Sequence, residues 1–157
     1  MRLIALDVGT KRIGVAYADT KVRIAVPRET IMVDGNEKAA IAHRFKLEQA
    51  DLIVSGLPRN NSGEETAQSR LVQDFISSLG DYFMSCGLPK PLVKFQDESL
   101  TSVAAEQYLT DAGHELNRQD RTSGKVDAEA AAIILQDFLE SADFSMLEQE
   151  LTKTQRG

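Results

Sequence analysis

The chain of 157 residues holds one cysteine (Cys86), no tryptophan, four prolines and two histidines. A lone thiol cannot close an intramolecular disulfide, which fits a reducing compartment and excludes a disulfide-stapled scaffold. His43 and His114 show neither His-x-x-x-His spacing nor a cysteine partner, so the usual zinc sets are excluded. Long apolar runs are missing too. Residues 3–6 are stopped by Asp7, far short of the roughly 20 residues that cross a bilayer and of a signal-peptide core. A cytoplasmic protein without membrane contact is expected. Positive charge is in deficit, with 18 Lys+Arg against 24 Asp+Glu and a formal net charge of -6. That excludes coating nucleic acid by bulk charge, but not gripping it with a local basic patch around an acidic site.

What is present is ordinary globular material, 42% hydrophobic and 27% charged, long enough to bury about two-thirds of its unfolded surface. Residues 2–7 read as a strand, Gly9-Thr10-Lys11 as a turn, and residues 12–18 and 22–27 as two further strands of an antiparallel meander. Residues 36–49 carry Ala39, Ala40, Ile41, Phe45 and Leu47 in a helical pattern. Residues 51–54 form a short apolar run that ends at Gly56 and Pro58, as a buried parallel strand does. Ser62-Gly63-Glu64-Glu65 fits a capping box, predicting a helix with Ala67, Leu71, Val72, Phe75, Ile76 and Leu79 on its inner side. Beyond Pro89 and Pro91, residues 92–95 read as a strand and 100–112 as a helix closed by Gly113. Residues 117–125 read as a polar, basic loop, and 127–140 as a helix with Ala130, Ala131, Ile134, Leu135 and Phe138 inward. Residues 152–157 read as a frayed tail. With no repeat or linker, one domain is expected over residues 1–140, followed by a partly disordered extension over 141–157. The element order predicts an α/β fold: a mixed five-stranded sheet, three antiparallel strands first, with helices on both faces.

Carboxylates meet the ends of these elements at three places. Asp7 closes the apolar run of the first strand, where a carboxylate is costly to bury unless a cation or several donors meet it; taken alone it also reads as a turn aspartate. Asp97 and Glu98 follow the fifth strand, and taken alone either reads as a helix cap or dipole partner. Alternation sends their side chains to opposite faces, so only one of them turns readily toward a shared site. Asp127 precedes Ala130, Ala131 and Ile134 by three, four and seven residues and so shares their inward face. Sites in open α/β sheets form at the carboxyl ends of strands, where these acids are able to converge. Clustered carboxylates stay ionised when a divalent cation holds them, and oxygen-only ligands favour Mg²⁺ or Mn²⁺. Such a cluster suits two-metal phosphodiester hydrolysis.

Four blocks carry a resemblance to a known family: residues 6–16 (LDVGTKRIGVA), residues 54–58 (VSGLP) with Asn60, Gly63 and Glu65, Asp97-Glu98 with Leu100, Thr101, Ala105 and Glu106, and Lys125-Val126-Asp127 with Ala130, Ala131, Ile133, Leu135 and Gln136. In this order they resemble the YqgF family of Holliday-junction-resolvase-like nucleases, in the RNase H-like superfamily. The resemblance spans residues 3–140. It implies an RNase H-like fold and a metal-dependent nuclease of the bacterial cytoplasm that matures the small-subunit ribosomal RNA precursor. It also implies an acidic triad of Asp7, Glu98 and Asp127 as catalytic residues and metal ligands. Where the family has Asp-Glu-Arg, Ser99 replaces the arginine. A cation near the scissile phosphate is then missing, for which Lys94 is a candidate substitute.

Around the acids, Gly9, Thr10, Lys11 and Arg12 are candidate backbone and side-chain donors to a phosphate, though Gly9 and Gly14 also read as plain hairpin glycines. Gly56 and Pro58 are expected beside Asp7, where a missing side chain leaves room for a nucleic-acid strand, or else mark close packing. Arg59, Arg118, Arg121 and Lys125 are candidates for a basic rim on backbone phosphates, and each taken alone reads as solvated surface charge. The expected partner is structured RNA, with a ribosomal subunit precursor in view, ahead of branched DNA. A monomer or a homodimer fits, and a dimer favours a two-fold junction. Branched-DNA resolution and a non-catalytic RNA-binding assembly factor remain as alternatives. A sugar-kinase-like ATPase, suggested by Asp7-Val8-Gly9-Thr10, conflicts with the chain's length and with the lack of a glycine-rich adenosine motif.

Overall fold

A computed structural model of the chain describes residues 1–59, 62–97 and 125–156. Within these residues the order is β1 (Arg2–Val8), β2 (Arg12–Asp19), β3 (Val26–Met32), α1 (Glu37–Leu47), β4 (Leu52–Leu57), α2 (Ala67–Ser85), β5 (Leu92–Asp97), α3 (Lys125–Ser141) and α4 (Phe144–Arg156). The strands form one mixed sheet in the order β3-β2-β1-β4-β5. β1 pairs antiparallel with β2, and β2 with β3, while β1–β4 and β4–β5 are parallel. This is the expected sheet.

Strand alternation divides the core into two halves, one per sheet face. Ile4, Leu6, Val8, Ile13, Val15, Ile53 and Leu57 pack with Ile41 of α1 and Val72, Ile76, Leu79 and Phe83 of α2. Leu3, Ala5, Ala16, Ala18, Leu52 and Val54 pack on the other face with Ala131, Ile134, Leu135 and Phe138 of α3 and Leu147 of α4. β1 and β4 are buried on both faces, which is why they read as unbroken apolar runs. The small side chains Ala5, Ala16 and Ala18 let α3 lie close on the sheet.

Four local expectations differ from the structure. The third strand covers Val26–Met32, not residues 22–27. The N–H groups of Val22 and Arg23 bond the Asp19 carbonyl at 3.0 and 2.8 Å, and Arg23 has φ 62°, so the apolar residues there make the turn. The strand itself is an edge strand that carries Arg28 and Glu29, which erased its apolar signature. The α2 cap is Thr66, not Ser62: Thr66 Oγ1 accepts from the Ser69 N–H at 3.1 Å, and Ser69 Oγ accepts from the Thr66 N–H at 2.8 Å. Serine takes the part usually given to glutamate in a capping box. On α2 the inner stripe includes Ser69, Gly80 and Phe83, while Leu71 is exposed. Finally, residues 152–156, expected to fray, continue α4 to Arg156. Leu147 anchors that helix in the α3-side core, and Lys94 Nζ meets Glu150 Oε2 at 2.7 Å. The helix expected over 100–112, its Gly113 cap and nearly all of the basic loop lie outside the described residues; Lys125 opens α3.

Candidate active site

Asp7 is the sixth of the seven residues of β1, a strand whose even-numbered residues face α2 and whose odd-numbered residues face α3. Leu3 and Ala5 belong to the α3-side core, so Asp7 continues that face to the carboxyl end of β1. Its cross-strand partner is Gly14. A Cβ built on Gly14 would lie 1.9 Å from the Asp127 carbonyl oxygen and 2.9 Å from the Ala128 nitrogen. The first turn of α3 therefore rests directly on the backbone of β2, in the space a side chain would fill. Glycine at this position brings Asp127 onto the sheet face that carries Asp7.

Arg12 lies two residues before Gly14 on the same face of β2. Its Nε stands 3.2 Å from Asp127 Oδ2, with the two side chains 31% and 26% exposed. That oxygen is itself buried and has no hydrogen-bond partner, so the contact is a charge contact without an aligned hydrogen bond. Burial raises the Asp127 pKa above the usual aspartate range, and the Arg12 charge offsets this only in part. The turn leading into β2 is held by the Gly9 N–H on the Arg12 carbonyl at 3.0 Å, and a Cβ on Gly9 would sit 2.6 Å from that oxygen. The Val33 N–H bonds the Lys11 carbonyl at 3.0 Å. Thr10 and Lys11 are exposed at the tip.

On the neighbouring strand, Leu6 pairs with Ser55, so Gly56 follows Ser55 as Asp7 follows Leu6. Gly56 is on the α3 face, in phase with Leu52 and Val54, and Pro58 is half-buried just past the strand. Asp97 behaves differently. It pairs with Leu57, which packs in the α2-side core, and so lies on the face opposite Asp7. Arg59 Nε bonds Asp97 Oδ1 at 2.7 Å, and its Nη1 bonds the Gly63 carbonyl at 3.0 Å. Arg59 thus ties the segment after β4 to the end of β5. Lys94, the candidate substitute cation, is held by Glu150 of α4.

The structure thus brings Asp7, Asp127, Arg12, Gly14 and Gly56 to one face, and directs Asp97 away from it. Glu98, Ser99, Arg118 and Arg121 lie outside the described residues, as does the side chain of Lys125. Among the described residues no group of three acidic, histidine or cysteine side chains is gathered for a metal. The donors fit a hard cation all the same: two carboxylates on one face, one with a buried oxygen that makes no hydrogen bond. The pairing of Arg12 with Asp127 was missed in the sequence. Its only signal was the shared phase of Arg12 and Gly14 along β2.

Residues 1–141 match the family model described as RuvX, Holliday junction resolvase. A relative in Chloroflexus aurantiacus, named "Putative pre-16S rRNA nuclease", is 42% identical over 142 residues, 88% of this chain and 86% of its own. One of the same name in Lactococcus lactis subsp. cremoris is 35% identical over 147 residues, 89% of this chain and 94% of its own. Among solved structures, Thermus thermophilus RuvC superposes with a TM-score of 0.51 at 14% identity, covering 88% of this chain and 94% of that one. The fowlpox virus resolvase, solved with Holliday junction DNA, gives a TM-score of 0.53 at 14% identity, covering 90% and 98%. These two superpositions establish a shared resolvase-type fold, the RNase H-like architecture that the sequence resemblance implied. No helix among the described residues is long and apolar enough to cross a membrane.

Proposed function

This chain belongs to the RuvX family, and from that premise we propose that it is a cytoplasmic, metal-dependent nuclease that processes the end of the small-subunit ribosomal RNA precursor. The observation that supports the reading is that Asp7 and the first turn of α3, which carries Asp127, both adjoin Gly14 on one sheet face, with a buried oxygen of Asp127 left without a hydrogen bond. Asp7 and Asp127, with Glu98, would hold Mg²⁺ or Mn²⁺. When bound, such a cation supplies Lewis-acid stabilisation of charge on the phosphoryl oxygens.

The chain's own residues do the rest. Gly14 seats α3 and so sets the position of Asp127. Gly56, buried on the same sheet face, leaves the β4 side of Asp7 without a side chain. Thr10 and Lys11 form the exposed tip of the turn next to the acids, where backbone and ammonium donors meet backbone phosphates, while the Gly9 N–H holds the turn through the Arg12 carbonyl. Arg118, Arg121 and Lys125 supply the basic rim that an acidic protein needs to hold RNA. Pro58 and Arg59 border the same end of β4, with Arg59 steadying the segment through Asp97. The names of the relatives favour RNA as the substrate. The description of the family model favours a second reading, resolution of branched DNA by the same acids.

The test is cleavage of a ribosomal RNA precursor fragment and of a four-way DNA junction with Mg²⁺ or Mn²⁺, using wild type and Asp7→Asn in parallel. Metal-dependent RNA cleavage that the substitution abolishes is the expected result. Cleavage of the junction alone would move the assignment to a resolvase. RNA binding with neither substrate cut would make the chain an assembly factor, with Ser99→Arg the first reversion to make.

A further inference from the structure

The end of the fold opposite the acids holds a cavity that the proposed chemistry does not use. It opens at the amino ends of β4 and β5, a strand length of about 20 Å from the carboxyl ends where Asp7 and Gly56 stand. Its volume is about 510 Å³, within the roughly 300–1,000 Å³ of small-molecule sites. Phe83, which is buried, and Phe45, edge-on to it at 5.3 Å between ring centroids, give it an aromatic lining. Leu92 of β5 and Leu151 of α4 add aliphatic walls. α4 lies past residues 1–141, the part that matches the family model, so its wall is an addition to the family domain. Close packing leaves few voids of this size, and apolar surface left open to water gains from being covered.

The polar groups around this lining are unequally engaged. Asp51 accepts from the Arg2 N–H at 2.9 Å, and the Gln49 side-chain carbonyl accepts from the Arg2 guanidinium. Thr154 Oγ1 donates to the Glu150 carbonyl at 3.0 Å. Lys46 and Lys90 also line the cavity, and neither ammonium has an ion pair among the described residues. The last carbonyls of α1 already accept from the N–H groups of Glu48, Gln49 and Ala50, so Lys46 is not needed there. Lys90 stands between Pro89 and Pro91, which restrict the backbone on both sides. Its methylene stem lies along α2 where Gly80 has no side chain, since a Cβ there would sit 3.0 Å from Lys90 Cε. The stem is placed, and its charge is left without a partner.

We propose that this cavity binds a small amphipathic anion: an aromatic or aliphatic body carrying one acidic group. The body covers Phe45, Phe83, Leu92 and Leu151, and the acidic group meets Lys46 and Lys90. A cation is repelled by the two ammonium groups, and an inorganic anion leaves the apolar lining wet. The ligand sits away from Asp7 and Asp127, so the acids stay open while it is bound.

The probe is anilinonaphthalene sulfonate, titrated by fluorescence and calorimetry into the full chain; phenylnaphthylamine, which lacks the sulfonate, is the uncharged comparison. A thermal melt checks that every variant is folded. Wild type should bind one sulfonate probe per chain, with backbone amide NMR shifts centred on Ala50, Phe83 and Leu92. Replacing both Lys46 and Lys90 by Gln should weaken the sulfonate roughly three- to tenfold and the uncharged probe less than about twofold, the scale of partly screened charge contacts. Leu151→Ser should weaken both probes by about threefold or more. Lys153→Gln with Arg156→Gln removes the same charge from the last turn of α4, outside the lining, and should change neither. No saturable binding, shifts centred elsewhere, or equal losses in the two double variants would each overturn the proposal.

Discussion

Gly14 and Asp127 are in contact through their backbones: the place of the missing Gly14 Cβ lies 1.9 Å from the Asp127 carbonyl oxygen, while across the sheet Gly14 pairs with Asp7. One glycine thus joins a strand-end carboxylate to a helix-borne one.

Substituting Gly14 by alanine should therefore damage stability and activity together. The obstacle is backbone, not a flexible side chain, so α3 must lift from β2. A loss of about 1–3 kcal/mol or more is expected, as for overpacking in a tight core. Denaturant unfolding measures it. Cleavage should fall at least about tenfold even where the variant is fully folded, because Asp127 moves with the helix turn.

Asp127→Asn should abolish cleavage and yet stabilise the metal-free protein at neutral pH. The folded-state pKa of Asp127 is raised by burial, so ionising it costs folding free energy once the pH exceeds the unfolded-state value, and the cost is complete above the folded-state value. Below about pH 3 both forms of wild type are protonated and the cost vanishes. The Tm advantage of Asp127→Asn should accordingly be absent at about pH 3 and grow as the pH rises through the raised Asp127 range. A Tm advantage that shrinks over the same interval would contradict the burial account. Saturating Mn²⁺ should reverse the order, raising the Tm of wild type and not of the variant.

Asp97 and Glu98 are adjacent but should not be equivalent. Asp97 shares the face of Leu57 and holds Arg59 at 2.7 Å, with its side chain 64% exposed. Asp97→Asn should keep most of the cleavage activity and change stability by less than about 1 kcal/mol, as exposed ion pairs do. Glu98→Gln should lower kcat by at least about a hundredfold if it completes the acidic set. Steady-state kinetics on the two variants decide it, and equal losses would place both acids in the site.

The α4 helix should be part of the fold and not an appendage. Leu147 is 6% exposed and packs with α3 and the sheet, so Leu147→Ala should cost about 2–4 kcal/mol in urea unfolding. Lys94→Ala removes only the partly exposed contact to Glu150 and should cost less than about 1 kcal/mol.

Much of this was visible in local pattern. Asp7 stood out as a charge in a run otherwise apolar, and Asp127 as a carboxylate in phase with Ala130, Ala131 and Ile134. The alternation between Asp97 and Glu98 already meant that only one would face a shared site, and the structure turns Asp97 away. Less legible were elements whose signal was diluted: β3, an edge strand with Arg28 and Glu29, and α4, whose apolar contacts centre on Phe144 against Phe138 and on Leu147, beside the Lys94–Glu150 pair. The Thr66–Ser69 cap was hidden behind a more familiar serine-to-glutamate spacing at Ser62.

By itself the sequence determined the phases of β1, β2, β4 and α3, the mixed character of the sheet and the family, because these depend on periodicity and on motifs read a few residues at a time. Only the tertiary structure decided that Gly14 carries the helix bearing Asp127, that Arg12 is the cation beside that acid, and that Arg59 and Lys94 are engaged elsewhere. Those contacts join residues far apart in the chain, and they follow from strand register and from how closely a helix can approach the backbone. No local pattern encodes either one.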